Sequence, residues 1–587
     1  MGDMFRWRVR AIVFFCSLAG LSGDPKTGGR DWYVDCGSGD DSNAGSSTST
    51  AWRSLPAVSA HVFQPGDGIH FRRGSVCRGL LAPRGSGAEG APIRLDAYGT
   101  GPLPRIEAEP GQAAAFQLQD QQYWTIAQME FSGGNPHGVY VSGTRGVLRG
   151  IRLRDIVVHS VTGNPKTKES GLVVIAVGGG QERFEDVVVD GVTAYGTTQW
   201  AGILVGSVNQ GYVAETARSV NVTVRNSIVH DVAGDGIVLF QVNQGTIQNN
   251  VAWFTGMQGS ESIGTPDAIW TWMGRGCTVR RNEAFLTDSP GVDGGAFDID
   301  YGNQDTLLEE NYGHDTQGYC VGIFGSGWVT GNSVVRNNTC ADNGLSPRLA
   351  IRQGAIYLST SNHGTVKDVE ISGNRIFWNP PAAASILVND AEIVGKGRFE
   401  NNVIRSAAPL TLPTGSALVV RDNSIEPYRR RIANRMPAPE TVPAFALRDA
   451  GGKIASWRNP GQWTLLGLVA VGEGENDSRG QIALVESVHR QFPHLAVKIV
   501  VSRMTASALE SRENLRYDWN TGDIPVLFDD GSAARALRVD RTPSVVLLDP
   551  KGRLMWRYLN LTLPAELGLA LRDFIGLPNY AELVPEK

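Results

Sequence analysis

Short runs of alternating apolar and polar residues recur along the middle of the chain. They include Gly236-Ile237-Val238-Leu239-Phe240, Ala268-Ile269-Trp270-Thr271-Trp272, Ala296-Phe297-Asp298-Ile299-Asp300 and Ala355-Ile356-Tyr357-Leu358-Ser359. A period of two puts alternate side chains on opposite faces of a strand. Ile237, Leu239, Ile269, Phe297, Ile299, Ile356 and Leu358 are therefore expected to point inward, and their neighbours outward. A second unit is interleaved with the first: an asparagine, a few strand residues, then a polar turn. It begins at Asn226, Asn250, Asn282, Asn311, Asn338, Asn374, Asn402 and Asn423, at intervals of 21 to 36 residues. Constant strands joined by loops of drifting length describe a solenoid. Asparagine suits it twice over, because it tolerates a left-handed turn and its amide can bond to the asparagine of the next rung.

Ahead of the repeats lie Trp32-Tyr33-Val34-Asp35, Gly39-Asp40-Asp41-Ser42-Asn43-Ala44-Gly45 and Ala51-Trp52-Arg53-Ser54-Leu55. Pro65-Gly66-Asp67, Phe71-Arg72-Arg73-Gly74, Gly85-Ser86-Gly87 and Ala91-Pro92-Ile93 follow. This run resembles the opening of secreted, pectate-lyase-like polysaccharide lyases and glycosidases. The resemblance implies a mainly β protein: a right-handed parallel β-helix with an N-terminal cap over residues 31–108 and a coil over 109–430. It speaks for architecture only, since such proteins include lyases, hydrolases and epimerases.

Composition shifts after Pro427. Arg429-Arg430-Arg431 and Pro437-Ala438-Pro439 read as a linker, taken as 431–442. The remainder, 443–578, resembles a smaller α/β thioredoxin-like domain of the secreted thiol-disulfide reductase type. Pro443 to Leu447 matches its opening hairpin and Leu465 to Val471 its first central strand. Gln481 to Phe492 matches the following helix, Arg541-Thr542-Pro543 the cis-proline, Lys551-Gly552 a hairpin turn and Leu563 to Phe574 the closing helix. Glu475 and Ser478 fall where that family has its two cysteines, and the domain has no cysteine. The thiolate is the nucleophile of disulfide exchange, so this domain is redox-inactive. It is expected to serve stability or to dock a protein partner, with Ser478 as a helix N-cap.

Residues 1–23 carry a secretory signal pattern: Arg6, Arg8 and Arg10, a short apolar stretch from Ala11 to Leu21, then small residues. The protein is expected to be secreted or periplasmic, and monomeric. The formal net charge is -5, with no basic block, so nucleic acid is not an expected partner. No CxxC pair occurs, which argues against a zinc ribbon. In an oxidising compartment Cys36–Cys77 and Cys320–Cys340 are the preferred disulfides. Cys277 is left as a small buried hydrophobe.

Outward positions of stacked strands share one face. Asp235 and Asp267 fall at equivalent positions on successive rungs, Trp270 and Trp272 on the second of these, Asp298 and Asp300 on the next, and Tyr357 further along. Flanking loops add His230, Asp231, Asp288, Asp293, His314 and Asp315. Paired carboxylates beside aromatics suit glycoside hydrolysis, where one carboxyl protonates the leaving oxygen and the other activates water or attacks. Asp267, Asp298, Asp300 and His314 are thus the catalytic candidates. Trp270, Trp272, Tyr357, Asp235 and Arg352 are the candidates for binding a polysaccharide. A lyase or epimerase is the alternative, with Arg352 as base and calcium as helper. Against it, no lysine occurs between Lys168 and Lys367. A non-catalytic glycan-binding or envelope scaffold is the third reading. No cofactor is required; calcium has candidate oxygens at Asp40 and Asp41, and no metal ligand set is assigned.

Overall fold

The computed structural model describes residues 28–178, 180–207, 212–256, 263–346, 354–378, 385–406, 417–427, 439–472, 476–505 and 512–576. The leader, Arg352, Glu475 and most of the linker lie outside them. Among the described residues three long sheets form the coil. One has 15 strands, from Asp31–Val34 to Val419–Arg421. Another has 13, from Val76–Arg78 to Ser424–Pro427, and the third 10, from Phe116–Gln119 to Ser385–Asp390. Each strand pairs in parallel with its equivalent one turn on, as Ile247 does with Val224 and Val279. This is a parallel β-helix. Strands between residues 31 and 107 are already rungs of it, since Gly68–Arg72 pairs in parallel with both Asp31–Val34 and Ile93–Tyr98.

The alternation translates directly into packing. Ile237, Leu239, Ile269, Phe297, Ile299, Ile356 and Leu358 all lie in the single apolar core that fills the coil, none more than 1% exposed. The asparagines form a continuous ladder from Asn250 to Asn423 along one corner. The Asn282 amide donates to Asn311 Oδ1 at 3.0 Å, and Asn311 donates to Asn338 Oδ1 at 3.0 Å. Each also donates to a strand carbonyl, as Asn311 does to Val279 O at 2.9 Å. Two details differ from expectation. The left-handed residue is not the ladder asparagine but the one before it: Asn249, Arg281, Glu310, Asn337, Asn401 and Asp422 all have φ between 52° and 58°. Asn226 is likewise outside the ladder. Ser227 takes that position and donates its backbone N–H to Asn250 Oδ1, while Asn226 donates to Asp190 at 2.7 Å.

Cys36 is bonded to Cys77 and Cys320 to Cys340. Cys277 is free and buried, and burial pushes its thiol up to about 11. Asp40 and Asp41 spend side-chain oxygens on the N–H groups of Ser42, Arg53 and Ser54.

The C-terminal region folds on an eight-stranded mixed sheet. Thr464–Val471 runs parallel to Ala496–Met504 and antiparallel to Ser544–Leu548, and the Thr542–Pro543 bond is cis. The helix Asn476–Gln491 packs against both the sheet and the coil: Ile482, Val485 and Val488 share one apolar core with Ile228, Trp253 and Phe285. Ser478 is inside this helix, not at its cap, and its hydroxyl accepts the Ala470 N–H at 3.1 Å. Polar contacts complete the junction. Arg73 pairs with Asp518, both nearly inaccessible, and Gln128 also donates to Asp518, at 3.0 Å. Asn514 clasps Gly99 O and Gly101 N, and Arg479 pairs with Asp155.

Candidate active site

Register stacks Val238, Trp270, Asp298, Gly322 and Tyr357 in one outward column of the ten-stranded sheet. Phe240 and Trp272 start the neighbouring column, which Asp300 continues on the next rung. The structure therefore brings together Asp235, Asp267, Trp270, Trp272, Asp298, Asp300 and Tyr357. They face outward from the coil, but most do not face solvent. Trp270 and Trp272 are 3% and 5% exposed, and Val238, Phe240, Leu204 and Trp200 join them in a second apolar cluster on the outside of the sheet. Tyr357 packs with Tyr319 and Phe324, in space that a β-carbon at Gly322 would fill at 2.5 Å from the Phe324 ring. Expectation had treated the outward face as open. The side chains there are too apolar for that, and adjoining residues close over them.

Two buried aspartates in equivalent positions have different surroundings. Asp235 Oδ2 accepts from Trp200 Nε1 at 2.5 Å and lies 3.9 Å from Lys168 Nζ. Its Oδ1 accepts the backbone N–H of Asp267 at 3.2 Å. Burial raises its pKa, and Lys168 opposes the rise. Among the described residues no cation is paired with Asp267. It accepts from Tyr319 Oη at 2.7 Å and Gly295 N at 2.5 Å. Burial first, then the charge of Asp293, raises its pKa well above the usual carboxylate range. Asp298 is also buried. Asp293 and Asp300 remain partly exposed, so they are the carboxylates of this group that a ligand in solution can touch.

His314 is elsewhere. It follows a ladder asparagine by three residues, which places it in the thirteen-stranded sheet, not the aspartate-bearing one. There Tyr195, His230, Trp253, Phe285 and His314 stack ring on ring beneath the C-terminal region. His314 is held between Asp315 at 2.7 Å and Glu283 at 3.1 Å, which push it up to about 9 against the opposing effect of its burial. Enclosed at 1% exposure, it is a structural cation, and the parallel His230–Asp231 pair at 2.6 Å shows the repeat origin.

Sequence reasoning missed Lys168, Trp200 and Tyr319. Lys168 marks the edge of the lysine-free stretch, yet its loop carries it onto the face. Its ammonium stands 4.7 Å from the Trp270 ring, 5.4 Å from Trp200 and 5.8 Å from Phe240. Trp200 had a signal: Ala201–Ser207 aligns with Ile237–Phe240, so Trp200 opens a rung. Among the described residues, no group of three or more His, Cys, Asp or Glu side chains is arranged to hold a metal ion.

A family model described as a right handed beta helix region matches residues 175–346. The coil is thus a right-handed β-helix. The chain is 22% identical over 487 residues to a lacto-N-biosidase of Bifidobacterium longum subsp. longum, an alignment covering 65% of this chain and 29% of that protein. It thus spans under a third of that relative's length. The crystal structure of a GH136 lacto-N-biosidase from Eubacterium ramulus superposes with a TM-score of 0.51 at 21% identity, over 68% of each chain. At that identity the likeness is one of fold. A pectate lyase, Pel9A, matches at 14% identity and a TM-score of 0.32, over 59% of this chain and 78% of its own.

Proposed function

We propose that this protein is a secreted or periplasmic glycoside hydrolase that acts on a glycan through the carboxylate cluster on the ten-stranded sheet. The observation that carries the reading is the pairing of Asp267 with Asp293 just ahead of the strand that carries Asp298 and leads into Asp300. A buried carboxyl whose pKa is raised, next to a second, more accessible carboxyl, suits a proton source. In this reading Asp293, fed by Asp267, protonates the leaving oxygen, and Asp300 attacks the anomeric carbon or activates water. Tyr319 holds Asp267 in place, and Trp272 and Tyr301 form an aromatic wall next to Asp300. The lacto-N-biosidase activity named for the relatives is the first to test.

The elimination reading is the weaker one. Lys168 is already committed to Asp235 and three aromatic rings, so it is poorly placed to abstract a sugar proton. We also read residues 443–578 as thioredoxin-like and redox-inactive, on the strand order and the missing cysteines, with the coil itself as its docking partner.

The test is release of reducing sugar from lacto-N-biose-terminated and other neutral oligosaccharides, beside D293N and D300N. Either substitution should lower kcat by about 10²–10⁴-fold, the contribution of a positioned acid or base, with folding unchanged by circular dichroism. Full activity in both variants would sink the assignment, and an ultraviolet-absorbing unsaturated product would replace it with elimination.

A further inference from the structure

The neighbourhood of Lys168 is built like a receptor for an ammonium ion. Three aromatic rings surround its Nζ within 6 Å, and one face of the site is closed by the Asp235 carboxylate. Asp235 is wholly inaccessible, and an isolated buried carboxylate is costly unless paired. The rings come from three successive rungs, so the coil's own register makes the cage: Trp200 precedes the strand Ala201–Ser207, and Phe240 and Trp270 lie on the next two. We infer that this cage is a cation-binding site which the protein fills with its own Lys168, latching residues 162–170 onto the outer face of the sheet.

The flanking contacts fit a latch. Glu169 accepts from Tyr140 Oη at 2.6 Å, and its carbonyl accepts from His137 Nε2 at 3.0 Å. Ser170 Oγ donates to Thr167 O and accepts from Trp200 N. A β-carbon at Gly264 would fall 2.4 Å from Lys168 Cε, so the opposite loop keeps a glycine where the lysine stem passes. Trp270 is one rung from Asp298, about 4.8 Å along the coil. The latch therefore lies beside the carboxylate-bearing rung, where it would bound a sugar held there. That consequence rests on the glycosidase reading; the cage itself does not. Lys168 is a positioning residue, acting through Asp235 and the rings.

Chemical rescue tests this. K168A removes the atoms that propylammonium would replace. K168A should melt below the wild type when unfolding is followed by tryptophan fluorescence. Propylammonium chloride should restore at least half of the lost Tm with saturation. Propanol, or sodium chloride at equal ionic strength, should restore none of it, and the wild type should not respond. K168M keeps the stem without the charge, and should melt low and stay low with propylammonium. If K168M melts with the wild type, or propanol restores K168A as well as propylammonium does, the inference is wrong. Should K168A fail to fold, K168M alone decides, through its Tm against the wild type. These readouts need no sugar, so they stand or fall apart from the assay on D293N and D300N. With an active substrate, K168A should raise KM more than it lowers kcat.

Discussion

Replacing Arg73 by methionine tests how firmly the C-terminal region is bound to the coil. The guanidinium of Arg73 pairs with Asp518, and the two side chains are 2% and 4% exposed. Arg73 also donates to Gly101 O at 3.2 Å. R73M keeps most of the volume and, among the described residues, leaves the Asp518 carboxylate with Gln128 as its side-chain donor, at 3.0 Å. Removing one partner of a buried pair costs about 3–5 kcal/mol, because the other charge is left uncompensated. Replacing both partners by apolar groups of similar size is often neutral, so R73M/D518L should recover most of that loss. The penalty should also depend on pH. Burial raises the Asp518 pKa, and Arg73 is the chief influence opposing the rise. In R73M the carboxyl climbs further. A raised acid costs nothing below its unfolded value of 3.8, and its cost grows as pH rises to the folded value. The R73M deficit should therefore be largest at pH 7.5 and shrink towards pH 4.5. The assay is urea unfolding read by tryptophan fluorescence, to which buried Trp519 contributes, with limited proteolysis to detect release of the C-terminal region. An R73M midpoint equal to wild type, or a double variant no better than the single one, would refute the reasoning.

Three further outcomes are expected. Glu486 is buried in the helix facing the coil, and burial pushes it up to about 8. Its stabilising proton is lost as pH rises from 4.5 through about 8, so E486Q should match the wild type near pH 4.5 and out-melt it at pH 9. N311A orphans the Asn282 N–H and the Val279 carbonyl. It should cost about 2–4 kcal/mol, seen as a lower urea midpoint. Breaking Cys320–Cys340 by C320A/C340A should cost about 2–4 kcal/mol. It should also lower hydrolysis, because Cys320 adjoins Tyr319, which holds Asp267; unchanged kcat would disconnect the disulfide from the site.

The coil was legible because its rule is local. Ile237 and Leu239 need only a period of two to be assigned inward, and Asn282 and Asn311 need only their spacing to be matched. Cys320 and Cys340, 20 residues apart, were matched by a spacing that suits neighbouring rungs, and Cys36 and Cys77 as a staple across the start of the coil. The outer face was not legible in the same way. Val238, Phe240, Trp270 and Trp272 alternate as regularly as the core residues do, and nothing in a period of two says which face another layer will cover. Lys168 was missed because it arrives on a loop, and loop length is what the repeat leaves free. His314 was misplaced because nearness in sequence does not say which of three sheets a residue occupies. Its distance of three residues from Asn311, repeated between His230 and Ser227, did carry that information.

The asparagine ladder has a consequence for how such a chain can change over generations. Side-chain amides within it are anchored to the rung on either side, so a one-residue insertion within a strand would misalign the amide and put the core residues outside. An insertion between strands disturbs neither. Mutation can therefore lengthen, shorten or replace the loops beside the carboxylates while the coil stays the same. Under the glycosidase reading, new substrate preferences are most readily gained by editing the segments around residues 162–170 and 286–296, and the rungs are inherited whole.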